Sequence, residues 1–178
     1  TISVSYAGKT TSFEVNVFYN LQKATVRGVE NKTYTGKEII PEFTIKGYET
    51  QTSLEKDKDY KVELENNVNV GTATLRIIGM GNYTGTVERT FRIHEKSISS
   101  EGITASFPTI SYNGLEQKPV PVIKDGDVVL TEKDYAISSY SNNTDAGKGY
   151  IYISGNGNYD DSTYFEFNIE PGNINELT

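Results

Sequence analysis

The stretch LEKDKDYKVELENNVNVGTATLRIIGMGNY (54–83) decides the fold, because it recurs as LTEKDYAISSYSNNTDAGKGYIYISGNGNY (130–159). From Asn66, which matches Asn142, the two copies stay 76 residues apart. The flanking segments match as well: YTGKEIIPEF (34–43) pairs with YNGLEQKPVP (112–121), and FRI (91–93) pairs with FNI (167–169). A repeat of this length indicates two tandem modules of one architecture.

Apolar and polar residues alternate within each copy. In YKVELENN (60–67), Tyr60, Val62 and Leu64 would face one side and the charged residues between them the other, which is the pattern of a half-buried strand. No segment of the sequence combines a sustained helical face with a capping signal. Short strands separated by Gly, Asn and Asp turns predict an all-β fold made of tandem antiparallel β-sandwich modules, with almost no helix.

The repeat also predicts the domain organisation. TISVSY and TTSFEVNV alternate around AGK, so residues 1–18 are predicted to form a β-hairpin outside both copies. Residues 19–95 form the first repeat and residues 96–178 the second. The hairpin either packs against the first repeat or is the end of a preceding domain.

Composition narrows the classes of partner. The 178 residues carry a net charge of -7 and no cysteine. Such acidity argues against extended contact with nucleic acid, and a chain without cysteine has neither disulfides nor thiolate metal sites. No apolar run approaches a membrane span, so we expect no membrane insertion in this segment. The sequence starts in mid-pattern without a methionine, and we expect a monomeric fragment of a longer protein.

The shared positions resemble a known family. They are YTG (34–36), Pro41, DY (59–60), NN (66–67), GTA (71–73), GMGNY (79–83) and FRI (91–93), repeated as YNG (112–114), Pro119, DY (134–135), NN (142–143), GKG (147–149), GNGNY (155–159) and FNI (167–169). This pattern resembles the immunoglobulin-like repeats of secreted and cell-surface proteins of Gram-positive bacteria. ISVSYAGKTTSFEVNV (2–17) is similar to the closing strands of a bacterial immunoglobulin-like domain of group 3. The resemblance implies immunoglobulin-like β-sandwiches and a role as spacer, stalk or adhesion unit beside other domains.

The loops GMGNYTG (79–85) and GNGNYDD (155–161) place two glycines close together, as a phosphate loop does, but in the first loop the third glycine comes one residue later than G-x-G-x-x-G requires. A dinucleotide loop opens a helix, whereas each of these loops follows one strand pattern and precedes another. We therefore interpret them as hairpin turns in which Gly and Asn supply positive φ and the tyrosine anchors the returning strand.

Polar clusters offer few alternatives. Aspartate pairs stand at 57/59, 125/127 and 160/161 and could contribute to calcium binding, although Asp beside Gly is ordinary turn chemistry. His94 is the single histidine, and the sequence offers it neither metal partners nor a catalytic nucleophile. We predict no catalytic residue, no cofactor and no metal ligand, and hence a protein that is not an enzyme.

The tyrosines raise a second hypothesis. Tyr34, Tyr60 and Tyr83 recur in the second copy, so we expect them to support the fold. The tyrosines of the second copy that lack an aromatic counterpart are Tyr140, Tyr150, Tyr152 and Tyr164. If Tyr150, Tyr152 and Tyr164 share the solvent face, they form a ligand platform, and the second repeat is then a carbohydrate-binding module.

Two functions thus follow as expectations. The first is a non-catalytic extracellular module in the cell wall or at the surface of a Gram-positive bacterium, which acts as spacer, stalk or adhesion unit and contacts host or cell-wall glycans or proteins. The second is the carbohydrate-binding module of the second repeat.

Overall fold

The chain folds almost entirely into β-strands and turns. The computed structural model describes residues 1–172, and within them the one helix is a 3-10 turn at Leu21–Lys23. The all-β prediction, with almost no helix, is confirmed. Over the same residues, no helix has the length and apolarity needed to cross a membrane.

The described residues group into two compact units. The first unit contains residues 1–32 and 36–93, and the second contains residues 33–35 together with the described residues from 94 onward. The predicted hairpin at residues 1–18 thus groups with the first unit. The end of the predicted second repeat, residues 173–178, lies outside the described residues.

The first unit is built on a four-stranded sheet with the strand order β5-β10-β8-β7, and the pairs β1–β2, β3–β9 and β4–β6 form two-stranded sheets. Apart from the terminal residues Thr33 and His94, which group with the second unit, its strands are β1 (Ile2–Tyr6), β2 (Lys9–Phe13), β3 (Tyr19–Asn20), β4 (Thr25–Arg27), β5 (Lys32–Thr33), β6 (Thr44–Lys46), β7 (Tyr60–Glu65), β8 (Gly71–Gly79), β9 (Tyr83–Thr84) and β10 (Thr86–His94).

The second unit repeats this plan. Its four-stranded sheet has the order β13-β19-β17-β16, beside a three-stranded sheet β12-β14-β15 and the pair β11–β18. The strands are β11 (Lys96–Ser97), β12 (Ile103–Ser106), β13 (Ile110–Ser111), β14 (Val122–Asp125), β15 (Val128–Val129), β16 (Tyr135–Ser141), β17 (Gly147–Gly155), β18 (Tyr159–Asp160) and β19 (Ser162–Glu170).

Strand pairing is partly parallel, which the sequence analysis did not predict. Tyr19 of β3 pairs with Tyr83 of β9, and Lys96 of β11 pairs with Tyr159 of β18, in parallel ladders. In the second unit, β13 also runs parallel to β19. Strands of two residues are too short to show alternation in the sequence, so periodicity cannot reveal them.

Each unit has its own hydrophobic core, to which the alternating strands contribute one face. In the second unit, Ile151 and Ile153 of β17 are buried with Phe167 and Ile169 of β19, and Ile123 of β14 reaches the same cluster from the three-stranded sheet. The core of the first unit uses the corresponding strands. Its members are Leu21, Ala24, Ile45, Leu54, Tyr60, Leu75, Ile77, Tyr83 and Val87.

The edge strands β7 and β16 differ by one residue. Their ladders begin alike, with Tyr60 opposite Gly79 and Tyr135 opposite Gly155. In β16 the register shifts between Ile137 and Ser139, so Ser138 is the extra residue of a β-bulge. The turn before β16 is one residue shorter than the turn before β7. The extra residue of the bulge makes up for this missing residue, so the two copies are again 76 residues apart at the Asn pair.

The Gly-x-Gly-Asn-Tyr loops are turns, and their two glycines serve different purposes. Gly81 and Gly157 adopt positive φ, 59° and 64°, which favours glycine. By contrast, a Cβ at Gly155 would lie 2.5 Å from the carbonyl oxygen of Asp160, so this glycine permits close approach of two backbone segments. Asn158 has no positive φ, contrary to the predicted role of Asn in this loop. The tyrosines are buried as predicted, with Tyr159 only 4% exposed.

The repeated Asn pairs form a polar clip that sequence reasoning did not recognise. Asn67 accepts the Ile39 N–H at its backbone oxygen (2.8 Å) and donates its side-chain amide to the Ile39 carbonyl (3.2 Å). Asn143 makes the same two bonds with Gln117, at 2.7 and 2.8 Å. Among the described residues, Asn67 and Asn143 are the buried polar side chains. Each therefore ties a loop to the segment that follows an edge strand while satisfying its own buried amide.

The hairpin β1–β2 leaves its apolar side chains in solvent. Ile2 pairs with Phe13 in an antiparallel ladder, and Val4 and Tyr6 lie on the same face. All four are exposed, from 47% for Ile2 to 85% for Tyr6. A two-stranded hairpin without a packing partner is marginally stable, so this face is suited to being covered.

Candidate functional site: a tyrosine face on the second unit

The three tyrosines predicted to form a ligand platform lie together. Tyr150 and Tyr152 belong to β17, where they alternate with the buried Ile151 and Ile153, and so they point to the outer side of the sheet. Tyr164 of β19 is directly opposite Tyr152 in the ladder. We call Tyr150, Tyr152 and Tyr164 the tyrosine face.

The rings of the tyrosine face touch one another but are not coplanar. The ring centroid of Tyr164 lies 5.8 Å from that of Tyr150, at an interplanar angle of 69°, and 5.9 Å from that of Tyr152, at 43°. Tyr152 and Tyr164 are 40% and 59% exposed, whereas Tyr150 is half-buried. The three rings therefore form an uneven aromatic ridge.

Polar groups border the ridge. The Ser141 hydroxyl donates to the Tyr152 hydroxyl at 3.4 Å. Lys148 and Glu166 form an ion pair with Nζ 2.9 Å from Oε1 and 3.0 Å from Oε2. Because these charges neutralise each other, the surroundings of the rings offer hydroxyl groups and little net charge.

The first unit carries ions at the same positions. Its strands place Thr74, Arg76 and Glu88 where the second unit has the tyrosine face. The Arg76 guanidinium bonds Glu88 through Nε and Glu65 through Nη1, both at 2.8 Å. The two units thus share the pairing and register of their central strands and differ in the chemistry of this outer face.

Tyr140, which also lacks an aromatic counterpart, does not join the tyrosine face. It lies opposite the buried Ile151 in the β16–β17 ladder, and its hydroxyl donates to the Pro119 carbonyl at 3.0 Å. Its ring meets Phe167 edge-on with centroids 6.4 Å apart. Tyr140 therefore packs on the core side of the sheet.

A part-buried ion pair was missed by sequence reasoning. Lys96 Nζ lies 2.7 Å from both carboxylate oxygens of Asp125, and the Tyr159 hydroxyl donates to Asp125 Oδ2 at 3.0 Å. Burial raises the pKa of the Tyr159 hydroxyl above its ordinary value, and the hydrogen bond to Asp125 raises it further. Since Tyr19 and Gly47 stand at the equivalent positions of the first copy, the repeat gave no signal for this pair.

Two of the aspartates considered for calcium take other roles. Asp59 Oδ2 accepts the Glu55 N–H at 2.9 Å, which closes a turn, and Asp125 is engaged by Lys96. Within residues 1–172, no group of three or more His, Asp or Glu side chains is placed to hold a metal ion. His94 ends β10, and its carbonyl accepts the Tyr34 N–H at 2.9 Å.

A cleft of about 680 Å³ lies on the first unit, between Arg27–Gly28 and Pro41–Thr44. Its lining includes Glu30 and Lys32. Charged side chains of both signs border it, and its lining includes Pro41 of the repeated motif but none of the tyrosines predicted to bind a ligand.

Comparisons with known proteins found no matching family model, no matching curated relative and no matching solved structure. The immunoglobulin-like character of the repeats therefore stays a prediction from the sequence motifs.

Proposed function

We propose that the chain is a non-catalytic part of a larger bacterial surface protein, in which its two modules act as spacer, stalk or adhesion unit. Each module is, in this proposal, an immunoglobulin-like β-sandwich, and the protein is secreted to the cell wall or surface of a Gram-positive bacterium. Its contacts there are host or cell-wall glycans or proteins. The repeated motif and the separate core of each unit support this reading.

The observation that carries the proposal is the parallel pairing of early and late strands. From His94 onward, the first strand of the second unit is β11, which runs parallel to β18, and the last strand of the described residues is β19, along which β13 runs parallel. Backbone bonds extend both ladders: the Lys96 N–H donates to Asn158 (3.0 Å), and the Tyr112 N–H donates to Glu170 (2.8 Å). In the first unit, β3 and β9 pair in the same parallel sense, and the Tyr19 N–H donates to Asn82 at 2.8 Å.

This arrangement suits a module that carries tension. When the two ends of such a unit are pulled apart, parallel neighbours are dragged along their length in opposite directions, so their hydrogen bonds are loaded together. An antiparallel hairpin pulled at its open end instead loses its bonds one after another. Loading in shear delays unfolding, which is the property that a stalk requires.

The exposed hairpin fits the same proposal. Its apolar face, described above, would be buried if β1 and β2 were the closing strands of a preceding immunoglobulin-like domain. The chain would then contain the end of one module followed by two more. In a longer protein that includes the preceding domain, the Val4 amide should be better protected against hydrogen exchange than in this chain. Rapid exchange of that amide in the longer protein would contradict this part of the proposal.

Single-molecule pulling of the full chain tests the load-bearing role. Tyr112→Pro removes the N–H that donates to Glu170, and we expect it to lower the unfolding force of one of the two units. Tyr112→Ala keeps this N–H and serves as the matched control, with an expected force close to that of the unchanged chain. Equal forces for the unchanged chain and Tyr112→Pro would contradict load bearing by the β13–β19 pair.

Location needs a separate measurement. Antibodies raised against the chain should label intact cells of the producing bacterium, and the label should disappear after protease treatment of those cells. Labelling that requires permeabilised cells would overturn the surface assignment.

A further inference from the structure

We propose that the tyrosine face of the second unit binds a single chain of a neutral polysaccharide. This binding activity goes beyond the load-bearing role and does not depend on it, because it uses the outer face of the sheet rather than the parallel strand pairs. The ligand class follows from four properties of the face: its dispensability for the fold, its hydroxyl groups, its charge and the tilt of its rings.

The fold does not require tyrosines at these positions. In the first unit, the corresponding ladder positions hold Thr74, Arg76 and Glu88, and the central strands of that unit pair in the same register. The core lies on the opposite side of the sheet, where Ile151 and Ile153 are buried. Exposed aromatic surface that the fold does not need is typical of a binding surface.

Ring faces and hydroxyl groups together match the chemistry of sugars. The negative face of an aromatic ring attracts the weakly positive C–H groups on one side of a sugar ring. Tyr152 and Tyr164 expose the most ring surface, at 40% and 59%. The hydroxyl groups of Tyr152 and Ser141, which already bond each other, lie where sugar hydroxyls could exchange hydrogen bonds with them.

Charge selects a neutral ligand. Glu166 lies opposite Tyr150 in the ladder and is paired with Lys148 at 2.9 Å, so this cation is already engaged and does not receive a carboxylate or sulfate group. The chain as a whole carries a net charge of -7, which repels anionic polymers.

Ring tilt selects a single chain. Interplanar angles of 69° and 43° prevent a flat crystalline polysaccharide from lying on all three rings at once. A single chain can turn between successive sugars and so follow the ridge from Tyr150 through Tyr164 to Tyr152.

The competing explanation is that the rings stabilise the sheet, since aromatic cross-strand pairs contribute to sheet stability. That explanation predicts loss of stability on substitution and no binding of sugar polymers. Stability and binding must therefore be measured on the same proteins.

Native affinity electrophoresis of the full chain separates these possibilities. The gels contain β-glucan, xylan, galactomannan or starch as soluble neutral polymers, and pectate as an anionic one; microcrystalline cellulose is used in a separate pull-down. Tyr152→Arg with Tyr164→Glu gives the second unit the residues that the first unit carries at these positions. The reciprocal graft, Thr74→Tyr with Arg76→Tyr and Glu88→Tyr, places the ridge on the first unit. Circular dichroism confirms the strand content of each variant.

We expect at least one neutral soluble polymer to retard the unchanged chain. The double variant should bind that polymer at least about fivefold more weakly, equivalent to ~1 kcal/mol and within the range of one aromatic contact. The graft should bind it more tightly than the unchanged chain does, and this result stays informative if the double variant fails to fold. No retardation in any neutral gel overturns the proposal, as does equal retardation of the unchanged chain and a folded double variant. Preference for pectate would overturn the neutral ligand, and preference for microcrystalline cellulose would overturn the single chain.

Discussion

Replacing one member of the Lys96–Asp125 pair should destabilise the second unit, and replacing both members together should restore most of that loss. Lys96→Met leaves a carboxylate without its cation, and Asp125→Asn leaves an ammonium group beside a neutral amide. The double variant leaves no unpaired charge, and the amide oxygen at position 125 can still accept the hydrogen bond from the Tyr159 hydroxyl.

The expected loss in the free energy of unfolding follows from the distance between the two charges and from their burial. Opposite charges 2.7 Å apart attract by about 6 kcal/mol at an effective dielectric constant of about 20, and desolvation of the two ions cancels much of this. Removing one partner of a fully buried pair costs about 3–5 kcal/mol. Since Lys96 and Asp125 keep 23% and 15% of their side-chain exposure, we expect about 2–3 kcal/mol for each single variant and about 1 kcal/mol or less for the double variant.

Denaturant unfolding followed by amide NMR signals of the full chain measures these values. The amides of Ile151 and Ile153 report on the second unit, and those of Leu75 and Ile77 provide an internal control in the first unit. A double-mutant cycle then yields the interaction energy of the pair. Single variants that cost less than about 0.5 kcal/mol, the usual range of surface substitutions, would refute the reasoning, and so would a double variant whose cost equals the sum of the two.

Three further predictions concern the second unit. The pKa of Tyr159 is raised in the folded state, so its stabilising effect is complete below the ordinary tyrosine pKa of about 10 and is lost as pH rises through the folded value. Between pH 8 and pH 11, the melting temperature of Tyr159→Phe should therefore fall less than that of the unchanged chain. An equal fall in both proteins would contradict this. Gly155→Ala should lower the free energy of unfolding by about 2–3 kcal/mol because its Cβ would meet the Asp160 backbone. The control is Gly126→Ala, whose Cβ meets no atom within 4 Å but whose backbone keeps a φ of 57°, and it should cost about 1 kcal/mol. Equal costs in denaturant unfolding would argue against steric conflict at Gly155. Deleting Ser138 should remove the bulge and leave a folded unit with a melting temperature within about 8 °C of the unchanged chain, a change of about 1 kcal/mol, and loss of the folded second unit in circular dichroism would show that the bulge is required.

The sequence was most informative where two copies could be compared. Alternation from Tyr60 onward predicted the strand that the structure shows as β7, and the recurrence of Tyr83 as Tyr159 indicated residues that support the fold. The period of two places Tyr150 and Tyr152 on one face of a strand, but the sequence left open whether that face is the outer one, which the burial of Ile151 and Ile153 decides.

Comparing the two copies of the sequence did not reveal features that depend on contacts between distant residues. Lys96 and Asp125 are 29 residues apart, and neither has a counterpart of the same chemistry in the first copy. The parallel ladders involve strands of two residues, which carry no periodic signal. The role of Asn143 depends on the Gln117 backbone, whose position is set by the packing of a loop rather than by a local motif.

The bulge at Ser138 has a consequence for how such repeats change over generations. An edge strand pairs with one neighbour, so an inserted residue there disturbs a single ladder, and a compensating deletion in the preceding turn returns the chain to the common numbering at Asn142. A descendant could therefore gain or lose residues at β16 while its central strands β17 and β19 keep their register. An alignment that allows no gaps would set Asp59 against Tyr135, and related copies would then look less alike than they are.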